Sequence, residues 1–480
     1  MQKKAVITSN ICNSHPSHPS PELKRTNFAT TMRNIKDLTE GPIKRQLFHL
    51  ALPVMGTSFI QMAYSFTDMA WVGGLGSKAV AAIGAVGMLV WTTNSIALLN
   101  KVASEVTVSQ SIGLKDYERA RSMAQHNLSI SLRIAAVWTF MLFTFAPLLI
   151  GLFGLETDVF QMSTSYLRIV ALAFPFLFLS SAMTGIYNAS GNTKVPFWIN
   201  STGLIANMIL DPVLIHLCHL GTNGAALATL LSQMLVCTLF VYMLKKRYPI
   251  FDSFQLFIRK LNPEYVRMIV RLGLPVSMLN TFFSLISLFL ARIATMQGGH
   301  LGVMTLTAGG QLEALAWYTA QGFSTALSTF TAQNYSVHQY ERMKKGYFTT
   351  IQMTSIFGII CTIGFFFLGD EIFSLIVSEP EAFHAGGLYL RIDSISMLLM
   401  TYEITNQGFF YGIGRTIPPA SISIAFNIMR IPIALVLIAF GLGISGLWWA
   451  ISLSSILKGI ASGIWLYMVC KRIFLKVDTI

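Results

Sequence analysis

The sequence predicts an all-α polytopic membrane protein of twelve transmembrane helices, built as two six-helix lobes related by a pseudo-two-fold axis along the membrane normal. Three observations carry that expectation. Hydrophobic residues make up 53% of the 480-residue chain and charged residues only 11%, against about 25% charged in a soluble domain. The apolar residues fall in runs long enough to cross a bilayer, which takes about 20 helical residues. The second half of the chain also repeats landmarks of the first, in order.

A large core does not explain the missing charges, because the surface of a folded protein still grows with its mass. The surface left uncharged must face lipid.

Along the chain, residues 1–45 read as a polar cytoplasmic tail. It holds the stretch His15-Pro16-Ser17-His18-Pro19-Ser20-Pro21 and has no apolar core of the kind a cleavable signal peptide needs. Met32 offers an alternative start, since Asp37 to Arg45 already lead into the first span. An N-lobe follows over 46–244, with spans near 46–72, 79–108, 127–150, 164–187, 195–217 and 224–244. Residues 245–267, with Pro249 and Pro263, read as a cytoplasmic linker. The C-lobe covers 268–470, with spans near 268–296, 302–330, 349–369, 384–411, 418–440 and 446–470, and 471–480 form a cytoplasmic tail. None of these runs alternates as a barrel strand would. Gly73-Gly74-Leu75-Gly76 reads as a turn after the first span rather than a phosphate loop, because no strand precedes it and no Lys-Ser/Thr follows.

The repeat sets the architecture. Leu50-Ala51-Leu52-Pro53 returns as Leu272-Gly273-Leu274-Pro275, and Tyr117-Glu118-Arg119 as Tyr340-Glu341-Arg342. Tyr166-Leu167-Arg168-Ile169 returns as Tyr389-Leu390-Arg391-Ile392. Gly191, Thr193 and Pro196 match Gly414, Thr416 and Pro419, while Asn207 and Pro212 match Asn427 and Pro432. Each copy holds an even number of spans, so both enter the membrane from the same side. Two parallel lobes with a cavity between them follow.

The net charge of +13 invites a nucleic-acid reading, but its placement argues against one. Most Lys and Arg lie in the tail and in loops 2–3, 4–5, 6–7, 8–9 and 10–11. The alternate loops hold only Lys78, Arg168 and Arg391. This is the positive-inside pattern, which puts both termini in the cytoplasm of a plasma-membrane protein. Loop 9–10 carries the opposite sign in Asp370, Glu371, Glu379 and Glu381. The five cysteines fit no metal spacing or disulfide framework. His216 and His219 share a helix face but lack further ligands. With no nucleophile–base pair and no Walker motif, the chain reads as neither an enzyme nor an ATP-driven pump.

A charge inside the bilayer costs roughly 3 kcal/mol on insertion scales, which makes each one a functional suspect. The candidates are Asp68, Lys101, Glu105 and Asp211 in the first lobe, and Arg292, Glu313, Glu403, Arg430 and Lys458 in the second. Asp211 has the richest setting. Asn207 lies four residues before it on the same face, and Pro212 leaves the carbonyl of Met208 without its helix donor. Carboxylate, amide oxygen and free carbonyl are hard oxygen ligands suited to an alkali cation. By depth, Asp68, Asp211 and Thr229 approach the outer face at one level, and two close carboxylates need a proton or cation between them. The plainer alternatives are that Asp68 caps a helix end and that Asn207 bonds a neighbouring helix. The residues matching Asp68 and Asp211 in lobe two are Leu290 and Ile431. Glu313 and Glu403 can meet a cationic substrate or pair with Arg292 or Arg430. Lys101 and Glu105, four apart, are expected to form an internal ion pair, and Lys458 to snorkel or pair.

Several stretches resemble the multidrug and toxic compound extrusion (MATE) family over residues 40–470. They are Thr67-Asp68-Met69-Ala70-Trp71-Val72-Gly73-Gly74-Leu75-Gly76, Asn207-Met208-Ile209-Leu210-Asp211-Pro212 and Gly224-Ala225-Ala226-Leu227-Ala228-Thr229. Gly322-Phe323-Ser324 through Gln333-Asn334 completes the set. The resemblance implies a twelve-helix antiporter that exports amphipathic, often cationic compounds against Na⁺ or H⁺ influx. It also implies that Asp68, Asn207, Asp211 and Thr229 form the coupling-cation site, as in the DinF-like branch. Some members place coupling carboxylates on spans 7 and 10 instead; here span 7 has Arg292 and no acid, while span 10 has Glu403. No cofactor is expected beyond the coupling ion and no metal beyond Na⁺ at that site. The expected partners are small organic molecules and the bilayer, around a monomer. The competing reading is a flippase for a lipid-linked precursor with the same two lobes.

Overall fold

The computed structural model describes residues 35–247, 255–377 and 379–474; the side chains of 64–66, 68–70, 73, 247 and 474 lie outside the description. Residues 1–34, with the Met32 start, and residues 248–254 of the linker therefore lie outside it. Twelve spans run through these residues. Span 1 is Ile43–Gly73, span 2 Ser77–Gly113, span 3 Tyr117–Thr144 and span 4 Thr157–Ala189. Span 5 is Lys194–Pro212, continued by a wide turn over Val213–Leu217, and span 6 is Gly221–Arg247. Spans 7 and 8 form one continuous run, Pro263–Ser336, broken at Gly299, whose φ of 55° no helix interior adopts. Span 9 is Tyr340–Phe367, span 10 Pro380–Gly412, span 11 Ile417–Leu437 with a wide turn over Ile438–Leu442, and span 12 Ile444–Phe474.

Nine helices among the described residues are long and apolar enough to cross a bilayer, one of them the joined run of spans 7 and 8. Spans 1 and 10 are not among the nine, and Arg391, Asp393 and Glu403 interrupt span 10. Phe140, Leu148, Met296, Phe440 and Tyr467 stand largely exposed on the outside of the bundle, as lipid-facing side chains do.

The repeat is sharper in space than in sequence. Short helices, Ala146–Gly151 and Gly369–Ser374, follow breaks at Phe145 and Leu368. The apolar run at 127–150 reads as one span, yet the helix starts earlier and breaks there in both lobes. The Tyr-Glu-Arg motifs are first turns of spans 3 and 9, not loops. Thr139 donates to the carbonyl of Ala171 at 3.1 Å and Thr362 to that of Ser394 at 3.2 Å. Gly185 lies against the carbonyl of Lys101, and Gly408 against that of Ser324. Both members of each pair are 223 residues apart, so the same contacts are made twice. Such small-residue contacts let membrane helices approach closely where hydrophobicity does not drive association.

The lobes meet along spans 1 and 2 of the first and spans 7 and 8 of the second. Leu99, Ala103 and Val106 pack with Ile269, Leu272 and Val276, joined by Tyr411. Leu38, Leu47, Leu50 and Ala51 pack with Phe323, Ala326 and Phe330. By the alternation of the spans, these clusters sit toward the end that carries the start of span 1. The hydrogen bonds between lobes given for the described residues fall at that end too, or on the linker. There the linker is tied to span 3: Ser129 accepts from the Ile258 amide at 2.8 Å, and Arg133 donates to the Ile258 carbonyl at 2.6 Å. The segment before span 1 lies across the same seam. Burial, and then the nearby Lys194 charge, lower the pKa of Lys36.

Candidate functional site

Span 5 carries the first candidate site. Its helix buries Asn207 and Asp211 on one face, and Asp211 is fully sequestered. The Asn207 amide points at the Asp211 carboxylate across 3.4 Å, so the four-residue spacing does bring the two together. Immediately beyond Pro212 the backbone widens into the Val213–Leu217 turn, where the Cys218 amide bonds back five residues to the Val213 carbonyl at 2.9 Å. Proline's missing donor sits at the entrance to that irregular turn.

Two other helices reach this level. Span 6 runs antiparallel to span 5, with Gly203 against Val236 and Gly224 against the Leu214 carbonyl. Interpolating between those contacts places Thr229 opposite the stretch from Asn207 to Asp211. Its hydroxyl donates to the Ala225 carbonyl of its own helix at 3.1 Å, not to Asp211; its lone pairs stay on the outside of that bond. Span 1 arrives through Trp71, whose ring meets that of His216 edge-on at 6.1 Å. Asp68 lies one turn before Trp71 on the same helix, with its side chain outside the description. Among the described residues no three His, Cys, Asp or Glu side chains gather as a metal site, and His216 is engaged with Trp71.

The C-lobe buries a larger group of charges. Glu403 on span 10 accepts from Gln407 at 2.8 Å and from Ser423 on span 11 at 2.5 Å. Its other oxygen faces the Lys458 ammonium of span 12 at 3.8 Å. Lys458 thus pairs within the protein and does not snorkel to the interface. Arg430 is satisfied by hydroxyls, with Ser454 at 2.7 Å and Ser455 at 3.0 Å. Glu313 on span 8 accepts from Tyr389 at 3.2 Å, and the Tyr389 ring packs edge-on against Trp448 at 4.9 Å. Neither acid takes Arg292, which is exposed on span 7.

One member of this group escaped the sequence reading. Asp393 is buried on span 10 within electrostatic reach of Glu313, Arg430 and Lys458, and its Oδ2 has no hydrogen-bond partner. Two residues after Arg391, it reads in sequence as part of a charged helix end. The usable signal was the repeat: its counterpart is Val170, an apolar residue in the N-lobe core. Lys101 and Glu105 do not close to an ion pair. Glu105 lies between the lobes beside Ser328 and Asn188, with Lys101 acting on it only through space. Ser328 is Glu105's own repeat counterpart, 223 residues on, which puts the carboxylate near the pseudo-two-fold axis.

The MatE family pattern matches residues 53–213 and, a second time, residues 275–436. The chain belongs to the MatE family. One MatE match falls in each half of the repeat, and each ends before that half's last span. Among similar proteins, the probable multidrug resistance protein NorM of Thermotoga maritima is 25% identical over 428 residues, covering 85% of this chain and 88% of that one. YoeA of Bacillus subtilis, a probable multidrug resistance protein, is 27% identical over 417 residues, covering 84% and 89%. A solved MATE family transporter of the MOP superfamily, described as outward-facing, superposes with a TM-score of 0.85 at 23% identity, covering 92% of this chain and 98% of that one. At that identity the likeness establishes the shared MatE fold of twelve helices in two lobes.

Proposed function

We propose that this chain exports small amphipathic, often cationic organic compounds by alternating access, driven by entry of Na⁺ or H⁺ through Asp68, Asn207, Asp211 and Thr229. It is placed in the plasma membrane with both termini in the cytoplasm. One observation carries the reading: Asp211 is fully buried within the membrane beside Asn207 and the irregular turn after Pro212. A carboxylate so placed favours a bound cation or proton. The printed names of the relatives, multidrug resistance proteins, support the substrate class.

Binding at this site changes the charge of the span 5 face that span 1 covers. Coupling then needs only that the two access states hold the ion, or the substrate, with different affinity. The buried C-lobe cations count against the flippase, which would want free positive charge in its cavity. Lys458 is engaged by Glu403 and Arg430 by two serine hydroxyls.

The test is efflux of a cationic dye from proteoliposomes under separately imposed Na⁺ and pH gradients. Wild-type protein should respond to at least one gradient, and Asp211→Asn should lose that response while keeping its elution profile and helicity. Gradient-driven efflux at full rate in Asp211→Asn removes the proposal.

A further inference from the structure

Span 4 and span 10 end in the same way. After span 4 the carbonyls of Ile186, Tyr187 and Asn188 accept from Ser190, Asn192 and Gly191, and after span 10 those of Phe409, Phe410 and Tyr411 accept from Ile413, Arg415 and Gly414. In both, the glycine that turns the chain is left-handed, Gly191 at φ 73° and Gly414 at φ 72°. That leaves one carbonyl per helix without a donor from its own turn, Ala189 and Gly412. Each is met from the opposite lobe. Gln333 of span 8 donates to Ala189 at 3.1 Å, and Gln110 of span 2 donates to Gly412 at 3.1 Å. Donors and acceptors alike are related by the 223-residue shift, so one bond is made twice across the seam, in opposite directions.

We infer that Gln110 and Gln333 are the paired arms of a latch that holds the lobes shut at the end that carries the start of span 1, and that both must release for that end to open. This rests on the alternating-access reading above, though not on its coupling ion. The arms differ in two respects. Ser109 of span 2 also donates to the Ala189 carbonyl at 3.5 Å, and its repeat counterpart is Ala332. Gln333 also accepts from the Leu38 amide at 2.9 Å, and the Leu38 carbonyl accepts from Asn334 at 3.2 Å and Arg342 at 3.1 Å. The same segment donates from Lys36 to the Ser190 carbonyl at 3.0 Å. The strap before span 1 therefore ties the Gln333 arm to both lobes, and among the described residues the Gln110 arm has no such support.

The test places spin labels at Glu118→Cys and Glu341→Cys, repeat counterparts on exposed first turns of spans 3 and 9. The native cysteines are replaced and the protein is held in nanodiscs without substrate or gradient. Gln→Met removes the amide donor at nearly constant volume. Gln110→Met should raise the population of the long distance roughly fivefold, the net worth of one amide–carbonyl bond, and the double variant roughly thirtyfold if the arms add. Gln333→Met should exceed Gln110→Met, because it also unties the strap. Gln352→Met, an exposed glutamine on span 9, should change nothing. An unchanged distribution in the folded double variant overturns the latch. Should the double variant not fold, an unchanged distribution in Gln110→Met alone does so. Because distance is read without transport, a shifted distribution alongside failed ion-driven efflux would sink the coupling reading and leave the latch standing.

Discussion

Removing the Lys458 ammonium isolates how the C-lobe tolerates its buried charge. Lys458 Nζ stands 3.8 Å from Glu403, with both side chains under a tenth exposed. At an effective dielectric constant near 20 that separation corresponds to roughly 4 kcal/mol of attraction before desolvation is charged against it. Gln407 and Ser423 hold the other carboxylate oxygen, so Lys458→Met leaves Glu403 in place, hydrogen-bonded and uncompensated. Breaking one side of a buried pair costs about 3–5 kcal/mol. The upper end is expected here, because Asp393 and Glu313 lose the same nearby cation. Glu403→Gln alone should cost about 3 kcal/mol by stranding Lys458, the lower end because Asp393 and Glu313 stay near it. Lys458→Met with Glu403→Gln removes both charges and should fall within about 2 kcal/mol of wild type, a coupling of several kcal/mol. Unfolding by SDS in mixed micelles, followed by tryptophan fluorescence, measures all four corners of the cycle. Single costs that add to within about 0.5 kcal/mol would refute the pairing.

Two smaller predictions use the repeat as its own control. Gly185→Ala and Gly408→Ala each drive a Cβ into a carbonyl of a neighbouring span, and each should lower stability by about 1–3 kcal/mol in the same unfolding assay; a neutral result at either would mean the helices part freely there. Asp116 caps span 3 by accepting from the Arg119 amide at 3.0 Å, whereas its counterpart Gln339 makes no such bond to span 9. Asp116→Ala should therefore speed amide exchange in the first turn of span 3 roughly fivefold, the worth of one cap, while Gln339→Ala leaves span 9 unchanged.

The apolar runs made the spans legible, and the paired landmarks made the two lobes legible, because both follow from local chain chemistry. The joint of Asn207 with Asp211 was readable for the same reason: four residues on one helix is a local distance. Partners across helices were not. Glu403 was weighed against Arg292 and Arg430, yet the cation that meets it is Lys458, on a span 55 residues away. Nothing in a single sequence orders the helices around a bundle, so the choice among three cations had no basis. Helix ends failed differently. Spans 3 and 4 start well before their apolar runs, at Tyr117 and Thr157, since a helix continues past the hydrocarbon edge where hydropathy no longer marks it.

What the two lobes share and what they do not share divide along physical lines. Contacts made to backbone carbonyls recur: Gly185 with Gly408, Thr139 with Thr362, Gln110 with Gln333. Their geometry is fixed by how closely two helices approach, and a larger residue would move both helices. Buried charges do not recur. Asp211 faces Ile431 in the alignment of the lobes, Lys101 faces Ser324, and Asp393 faces Val170. Beside the place where span 5 buries a carboxylate, span 11 buries the guanidinium of Arg430. A buried charge needs only a partner within a few ångströms, and Ser454 and Ser455 supply one for Arg430 without altering the helix path. One scaffold can then carry different buried charges in its two lobes without repacking its helices.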